Sequence, residues 1–150
     1  MKVLFAVGIA VVGLVLAAPA MAQSSTDAAA AWGLFGTWAV DCTQPASRQN
    51  GHLTFARTNA GVVQRRDFGD VKDEHPVRTV RFLPGGGLEI VMDLRGFSTV
   101  RTIAFAKESE GKKRAVSNRD EKGAYTIENG RFVANGADTP WQYRCAVPTQ

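Results

Sequence analysis

The sequence predicts an all-β protein, an antiparallel up-and-down meander of eight or nine strands that closes into a barrel with one disulfide. After Phe35, short runs of β-branched and aromatic residues are interrupted every eight to twelve residues by glycine, asparagine or proline. Apolar and polar residues alternate within these runs, as in Leu88–Leu94, which is typical of a half-buried strand. Cys42 and Cys145 stand near the two ends of this region, so a bond between them would join the first strand to the last and close the sheet.

The first 22 residues have the features of a secretory signal peptide. Lys2 supplies a positive charge, an apolar run extends from Val3 to Ala18, and Ala20-Met21-Ala22 forms a small-residue cleavage site. The run is short for a bilayer span, which needs about 20 residues, and no basic cluster follows it. We therefore expect cleavage before Gln23, no integral membrane span after cleavage, and a periplasmic or secreted protein.

Two cysteines in an exported chain favour a disulfide between Cys42 and Cys145. Closing a loop of about 100 residues is expected to stabilise the fold by about 4 to 5 kcal/mol. Two separate buried thiols are the alternative. No metal site is predicted, because Cys-x-x-Cys spacing is absent and His52 and His75 are the only histidines.

The charge pattern argues against a nucleic-acid partner. The whole chain has a formal net charge of +4, and its arginines are spread over the predicted strands instead of forming one basic stripe. Lys112-Lys113-Arg114 is the densest basic patch, and Glu108 and Glu110 precede it. This mixture of charges predicts a solvated hairpin tip.

The mature chain divides into a flexible N-terminal segment, residues 23–34, and a single β-barrel domain, residues 35–150. The first segment is small, polar and alanine-rich, which is also compatible with one short helix. Asn129-Gly130 is the strongest hairpin signal, since a type I′ turn needs positive φ at both central residues. The predicted strands are Thr37–Cys42, His52–Arg57, Val62–Phe68, Val77–Leu83, Leu88–Leu94, Thr99–Lys107, Arg114–Asn118, Tyr125–Glu128, Arg131–Ala134 and Trp141–Ala146.

Alternation within the outer strands of the meander predicts which side chains enter the core. Trp38 and Cys42 are expected to face inward on the first strand, and Tyr143 and Cys145 on the last. Gln142 and Arg144 then face outward, where Arg144 is expected to pair with Asp41.

Gly36-Thr37-Trp38 at the start of the first strand resembles the Gly-x-Trp signature of lipocalin-type (calycin) barrels. The resemblance implies that Trp38 closes the barrel floor and that an arginine of the last strand, here Arg144, covers it. The Thr-Asp-Tyr motif of true lipocalins is missing. The longer run from Phe35 to Cys42, with Pro45, Asn50 and Arg144-Cys145, is similar to a group of small uncharacterised exported proteins of Gram-negative bacteria, a group that carries no activity to transfer.

The first functional hypothesis is a binding module for a small apolar or amphipathic molecule. Aromatic side chains are expected to line its interior, namely Trp38, Phe55, Phe82, Phe105 and Tyr143. The competing interpretation is a purely structural barrel, because barrels of this size can be filled by their own side chains.

The second hypothesis is an envelope interaction protein or enzyme inhibitor that acts through loops. Its candidate surfaces are the loop 43–51 and the acidic segment 67–75. The third, an enzyme, is disfavoured, because the acidic segment does not match an EF-hand and no Gly-x-Ser-x-Gly motif exists. No catalytic residue and no cofactor is therefore predicted.

Overall fold

The computed structural model describes residues 23–146, which form one α-helix, one 3-10 turn at Pro84–Gly86 and ten strands. The predicted signal peptide lies outside the described residues. The helix α1 spans Ser25–Trp32. The strands are β1 Gly36–Ala39, β2 His52–Thr58, β3 Gly61–Asp67, β4 Lys72–Phe82, β5 Leu88–Leu94, β6 Thr99–Ser109, β7 Lys112–Asp120, β8 Tyr125–Glu128, β9 Arg131–Phe132 and β10 Gln142–Arg144.

Eight of these strands form the closed antiparallel barrel that the sequence predicts. Strands β1 to β7 pair in chain order, and β10 closes the ring by pairing with both β1 and β7. Trp38 lies opposite Arg144 in the β1–β10 pair, and Lys113 lies opposite Gln142 in the β7–β10 pair. Strands β8 and β9 form a hairpin attached to β7. Its turn has φ of 51° at Asn129 and 74° at Gly130, as expected for a type I′ turn.

The predicted disulfide joins Cys42 to Cys145 across a sequence separation of 103, with the Cα atoms 5.3 Å apart. The Cys145 amide donates to the Thr37 carbonyl at 2.8 Å, so the bridge directly extends the seam between β1 and β10. The cysteines lie beyond the strands themselves, because β1 ends at Ala39 and β10 at Arg144. Cys42 is therefore exposed instead of inward-facing.

The N-terminal segment predicted to be flexible holds helix α1, which belongs to the core. Ser24 caps the helix by accepting a hydrogen bond from the Asp27 amide at 3.1 Å. Ala28, Ala29 and Trp32 are buried against the barrel, and Trp32 Nε1 donates to the Gly86 carbonyl at 2.8 Å. Alanine-rich composition indicated low burial, but small side chains are what allow a helix to approach a sheet closely.

The apolar core lies between α1 and the strands. Its largest fully buried side chains include Trp32, Leu34, Trp38, Phe55 and Leu88. Together they fill the helix-covered part of the barrel interior.

Candidate functional site

A cavity of about 290 Å³ lies inside the barrel, and none of its lining residues comes from α1. Phe105 forms the boundary between this cavity and the core, with its ring centroid 6.2 Å from that of Phe55 and 6.5 Å from that of Trp32. The apolar part of the wall consists of Leu53, Phe68, Ile103, Phe105, Ala115, Ile127, Phe132 and Pro140. The polar part consists of Gln64, Arg66, Asn118, Thr139 and Gln142. The cavity is thus bounded by β2, β3, β6, β7, β10 and the β8–β9 hairpin.

Three carboxamides contribute hydrogen-bonding groups to the cavity wall. Gln64 is only 3% exposed, and it lines the cavity. The Asn118 Oδ1 atom is buried without a hydrogen-bond partner. A buried amide oxygen without a partner is costly, so a bound molecule that donates a hydrogen bond to Asn118 would be stabilised.

The fully buried Lys113 lies behind Gln142. Its Nζ donates to Gln142 Oε1 at 2.7 Å and sits 4.3 Å from the Phe105 ring centroid, 4.8 Å from that of Trp38 and 5.6 Å from that of Phe55. Burial lowers the pKa of Lys113 from 10.5 to about 7. The residue is held by one amide and three aromatic faces, and no carboxylate in residues 23–146 forms an ion pair with it.

This position corrects the prediction that Lys112-Lys113-Arg114 forms a solvated tip. The tip is at Glu110-Gly111, and β7 begins at Lys112. Alternation along β7 then sends Lys113 inward with Ala115, whereas Lys112 lies outside, with Nζ 5.7 Å from the Tyr143 ring centroid. Alternation of inward and outward side chains along this strand could have predicted that Lys113 faces the interior. The charge of the three residues favoured the solvated interpretation instead.

Arg66 is the cation in the cavity wall, and a carboxylate fixes its orientation. Its Nε and Nη2 donate to the two carboxylate oxygens of Asp73 at 2.7 and 2.5 Å. The hydrogen bond from Arg66 holds the pKa of Asp73 below its ordinary value. Each partner is about one-fifth exposed, so this pair is more shielded than most surface ion pairs.

His75 completes this polar group at the barrel wall. It is fully buried, and its Nδ1 accepts a hydrogen bond from the Arg95 amide at 3.0 Å. Its Nε2 lies 3.1 Å from Asp73 Oδ1. Desolvation lowers the pKa of His75, and nearby Arg66 adds to this effect, so the ring is neutral near pH 7.

The acidic segment 67–75 is mostly strand instead of loop, because β4 begins at Lys72. Its carboxylates face cations across the β3–β4 pair. Besides Asp73, Asp67 pairs with Lys72 at 2.9 Å and Glu74 with Arg65 at 2.7 Å. No group of three or more histidine, cysteine or acidic residues within 23–146 is arranged to hold a metal ion.

Three of the five aromatic residues predicted to line the interior lie inside the barrel, namely Trp38, Phe55 and Phe105, and of these only Phe105 reaches the cavity. Phe82 and Tyr143 lie elsewhere, with exposures of 44% and 46%. Phe82 is the last residue of β4, beside the exposed turn Pro84–Gly86. Tyr143 lies opposite Lys112 on the outer face of β10.

Gly36, Trp38 and Arg144 lie together at the seam. The Arg144 guanidinium stands 5.0 Å from the Trp38 ring centroid, and Trp38 Nε1 donates to the Leu34 carbonyl at 2.7 Å. Gly36 has φ of 120°, and a Cβ there would lie 3.4 Å from the Arg144 side chain. Both the backbone and the close approach of Arg144 therefore favour glycine at this position.

Two sequence predictions about the last strand were wrong. Gln142 and Arg144 face inward, opposite Lys113 and Trp38, because polar groups can enter the interior when they find partners there. The expected Asp41–Arg144 ion pair does not form. Arg144 donates to Glu110 at 2.9 Å instead, and Asp41 accepts from the Thr43 amide and hydroxyl at 2.9 and 2.7 Å.

The loop 43–51 is organised around Asn50, which is 9% exposed. Its Oδ1 accepts from the Asp41 amide at 2.9 Å, and its Nδ2 donates to the Asp41 carbonyl at 2.9 Å. Further Nδ2 contacts reach the carbonyls of Gln44 and Pro45, both at 3.3 Å. One buried amide thus fixes a surface loop.

The chain matches no protein-family model, no curated protein and no solved structure. Among residues 23–146, no helix has the length and hydropathy needed to cross a membrane. The functional proposal therefore depends on the geometry of the cavity.

Proposed function

We propose that this protein is a binding module that holds one small amphipathic molecule in its barrel cavity. The observation that carries the proposal is the composition of the cavity wall, which is mainly apolar but includes the amides of Gln64, Asn118 and Gln142. Such a wall suits a ligand with an apolar body and a polar end. Eight-stranded barrels are wide enough to hold one small ligand.

The size of the cavity limits the ligand. A volume of about 290 Å³ accommodates about ten non-hydrogen atoms, at roughly 30 Å³ each, the share of one water molecule in the liquid. Burial of a methylene group contributes about 0.8 kcal/mol. Two added methylenes should therefore tighten binding about tenfold until the cavity is full.

The test uses a neutral fluorescent probe small enough for this cavity, 1-naphthylamine, and its displacement by hexanol, octanol and decanol. We expect affinity to increase from hexanol to octanol and then to level off. Ala115→Phe fills the cavity and should abolish binding, whereas Ala106→Phe, on the outward-facing neighbour of Phe105, should leave it unchanged. Absence of displaceable binding in the wild-type protein, or equal binding in both variants, would contradict the proposal.

We also propose that the protein works after export into an oxidising compartment. The Cys42–Cys145 bridge and the signal-peptide pattern of residues 1–22 support this. Intact mass of the protein from the envelope fraction should correspond to a chain that begins at Gln23 and carries oxidised cysteines. Two free thiols would refute the oxidising compartment, and a chain that retains residues 1–22 would refute cleavage before Gln23.

A second candidate function is docking of an envelope protein. Phe97 favours it, because its side chain is 62% exposed in the turn between β5 and β6. Its ring lies 5.9 Å from the Arg66 guanidinium, so the exposed aromatic residue borders the polar wall. Native mass spectrometry of protein purified from its own envelope distinguishes the two functions, since it separates a carried small molecule from a bound chain.

A further inference from the structure

Lys113 places a buried positive group directly behind the cavity wall. Gln142 connects the two, because it lines the cavity and accepts the 2.7 Å hydrogen bond from Lys113. We propose that the ligand is an anion, an amphipathic carboxylate whose head group is held by Gln142 in front of Lys113 and whose chain lies against Ile103 and Ile127. This inference rests on the proposed binding function and specifies the chemical class of its ligand.

The hydrogen-bonding capacity of Lys113 is the first argument. An ammonium group has three donors, and Gln142 is the one hydrogen-bond acceptor that Lys113 meets in the described chain. Aromatic faces attract the charge but accept no conventional hydrogen bond. An uncompensated buried charge is unfavourable, so an anion nearby would stabilise the protonated lysine.

The orientation of Gln142 is the second argument. Its Oε1 is occupied by Lys113, which leaves the Nε2 hydrogens as the free hydrogen-bonding groups of this amide. No side chain described in this structure accepts from Nε2. Gln142 therefore presents hydrogen-bond donors to the cavity, and its hydrogen bond from Lys113 polarises the amide and strengthens these donors.

The charges of the cavity wall are the third argument. Its lining includes the cation Arg66 and no aspartate or glutamate. Two nitrogens of Arg66 are held by Asp73, which fixes the guanidinium in place. The Arg66 charge is thus already paired. A cationic ligand would face the charge of Lys113 without a carboxylate in the wall, whereas a carboxylate meets that charge and the donors of Gln142 and Gln64.

The test compares three molecules with the same chain, octanoate, octanol and octylammonium, at about pH 6, below the pKa of Lys113. Tryptophan fluorescence reports binding, because Trp38 lies beside Lys113, and calorimetry gives the affinities. We expect octanoate to bind about tenfold or more tighter than octanol, since hydrogen bonds to charged groups are the stronger ones. Octylammonium should bind more weakly than octanol.

Lys113→Met removes the charge, and Lys112→Met is its matched control on the outer face of β7. Octanoate and octanol should bind to Lys113→Met with about equal affinity, whereas Lys112→Met should keep the preference for octanoate. Gln142→Leu provides an independent variant if Lys113→Met does not fold, and it should also lose the preference.

The outcomes separate this inference from the proposed function. Equal affinities for octanoate and octanol in the wild-type protein would overturn the anionic ligand while leaving the binding module intact, with Lys113 a structural cation. Retention of the preference in Lys113→Met and Gln142→Leu would equally overturn the assigned head-group site. Failure of all three molecules to bind would remove the proposed function and this inference with it.

Discussion

At the scale of single residues, Lys113 is the least expected feature of the barrel. Its stem and amine are enclosed by Trp38, Phe55 and Phe105, and its charge is opposed by desolvation. A group with a depressed pKa in the folded state makes stability depend on pH in a calculable direction.

Stability should rise with pH through the range between the two pKa values of Lys113. The ordinary pKa of lysine, 10.5, applies to the unfolded chain and about 7 to the folded one, so the unfolded chain binds more protons between these values. The contribution of Lys113 to the free energy of unfolding should therefore increase by at most about 1.4 kcal/mol per pH unit. Below about pH 7 the lysine is charged in both states, so its burial destabilises the fold fully. Above about pH 10 it is neutral in both states, and this destabilisation has vanished.

Urea unfolding of the wild-type protein and Lys113→Met across this range measures the effect. The stability of Lys113→Met relative to wild type should be highest near pH 6 and fall as the pH rises to about 10. Lys112→Met should follow the wild-type protein throughout. Parallel pH profiles for wild type and Lys113→Met would show that burial does not depress this pKa.

Asn50 gives a second prediction at this scale. Asn50→Ala removes the acceptor of the Asp41 amide and the donor to the carbonyls of residues 41, 44 and 45, so it should lower the free energy of unfolding by about 1 to 3 kcal/mol. Gln49→Ala, at the exposed neighbouring position, should change stability by less than about 0.5 kcal/mol. Chemical denaturation checks both, and similar values for the two variants would contradict the role of Asn50.

At the scale of secondary-structure elements, helix α1 depends on tertiary packing. It has eight residues, too few for stability in isolation, and its apolar side is anchored by Trp32. Lys107 supports this anchor, since its Nζ donates to the Trp32 carbonyl at 2.7 Å and lies 4.9 Å from the ring centroid.

Trp32→Ala should therefore destabilise the protein by about 3 to 5 kcal/mol, the usual range for removing a buried tryptophan. Trp141→Ala is the matched control, because Trp141 is only half-buried on the outer face and should cost clearly less. Denaturant titration followed by circular dichroism measures both variants. Equal losses would mean that α1 is not part of the cooperative core.

At the scale of the whole molecule, closure of the barrel depends on a short seam. Strand β10 has three residues, and it meets β1 and β7 through two registered pairs each. The Cys42–Cys145 bridge lies at the end of this seam and constrains a loop that includes nearly the whole barrel.

Replacement of both cysteines by alanine should lower the free energy of unfolding by about 2 to 5 kcal/mol. Hydrogen exchange should accelerate first in β1 and β10, where the ladder is shortest, and later in β6 and β7. Chemical reduction of the wild-type protein serves as the control and should give a similar loss. If hydrogen exchange accelerated to the same extent in all strands, a local role for the bridge would be refuted.

Local patterns in the sequence were enough to predict the barrel. Alternation, turn residues and the two cysteines predicted a closed antiparallel sheet, because these signals depend on neighbouring residues and on one covalent bond. Leu88–Leu94 and Tyr125–Glu128 have the predicted bounds, since clear alternation or a strong turn signal defines each one.

The cavity and the inward-facing polar residues were decided by the tertiary structure. Lys113, Gln142 and Gln64 are ordinary polar residues in their strands, and only closure of the barrel brings the first two within 2.7 Å and directs the third to the same cavity. Alternation states which residues share a face, whereas the partners across the barrel decide whether a polar side chain can be buried there. The sequence by itself therefore determined the barrel and its bridge, and the folded structure decided what the barrel encloses.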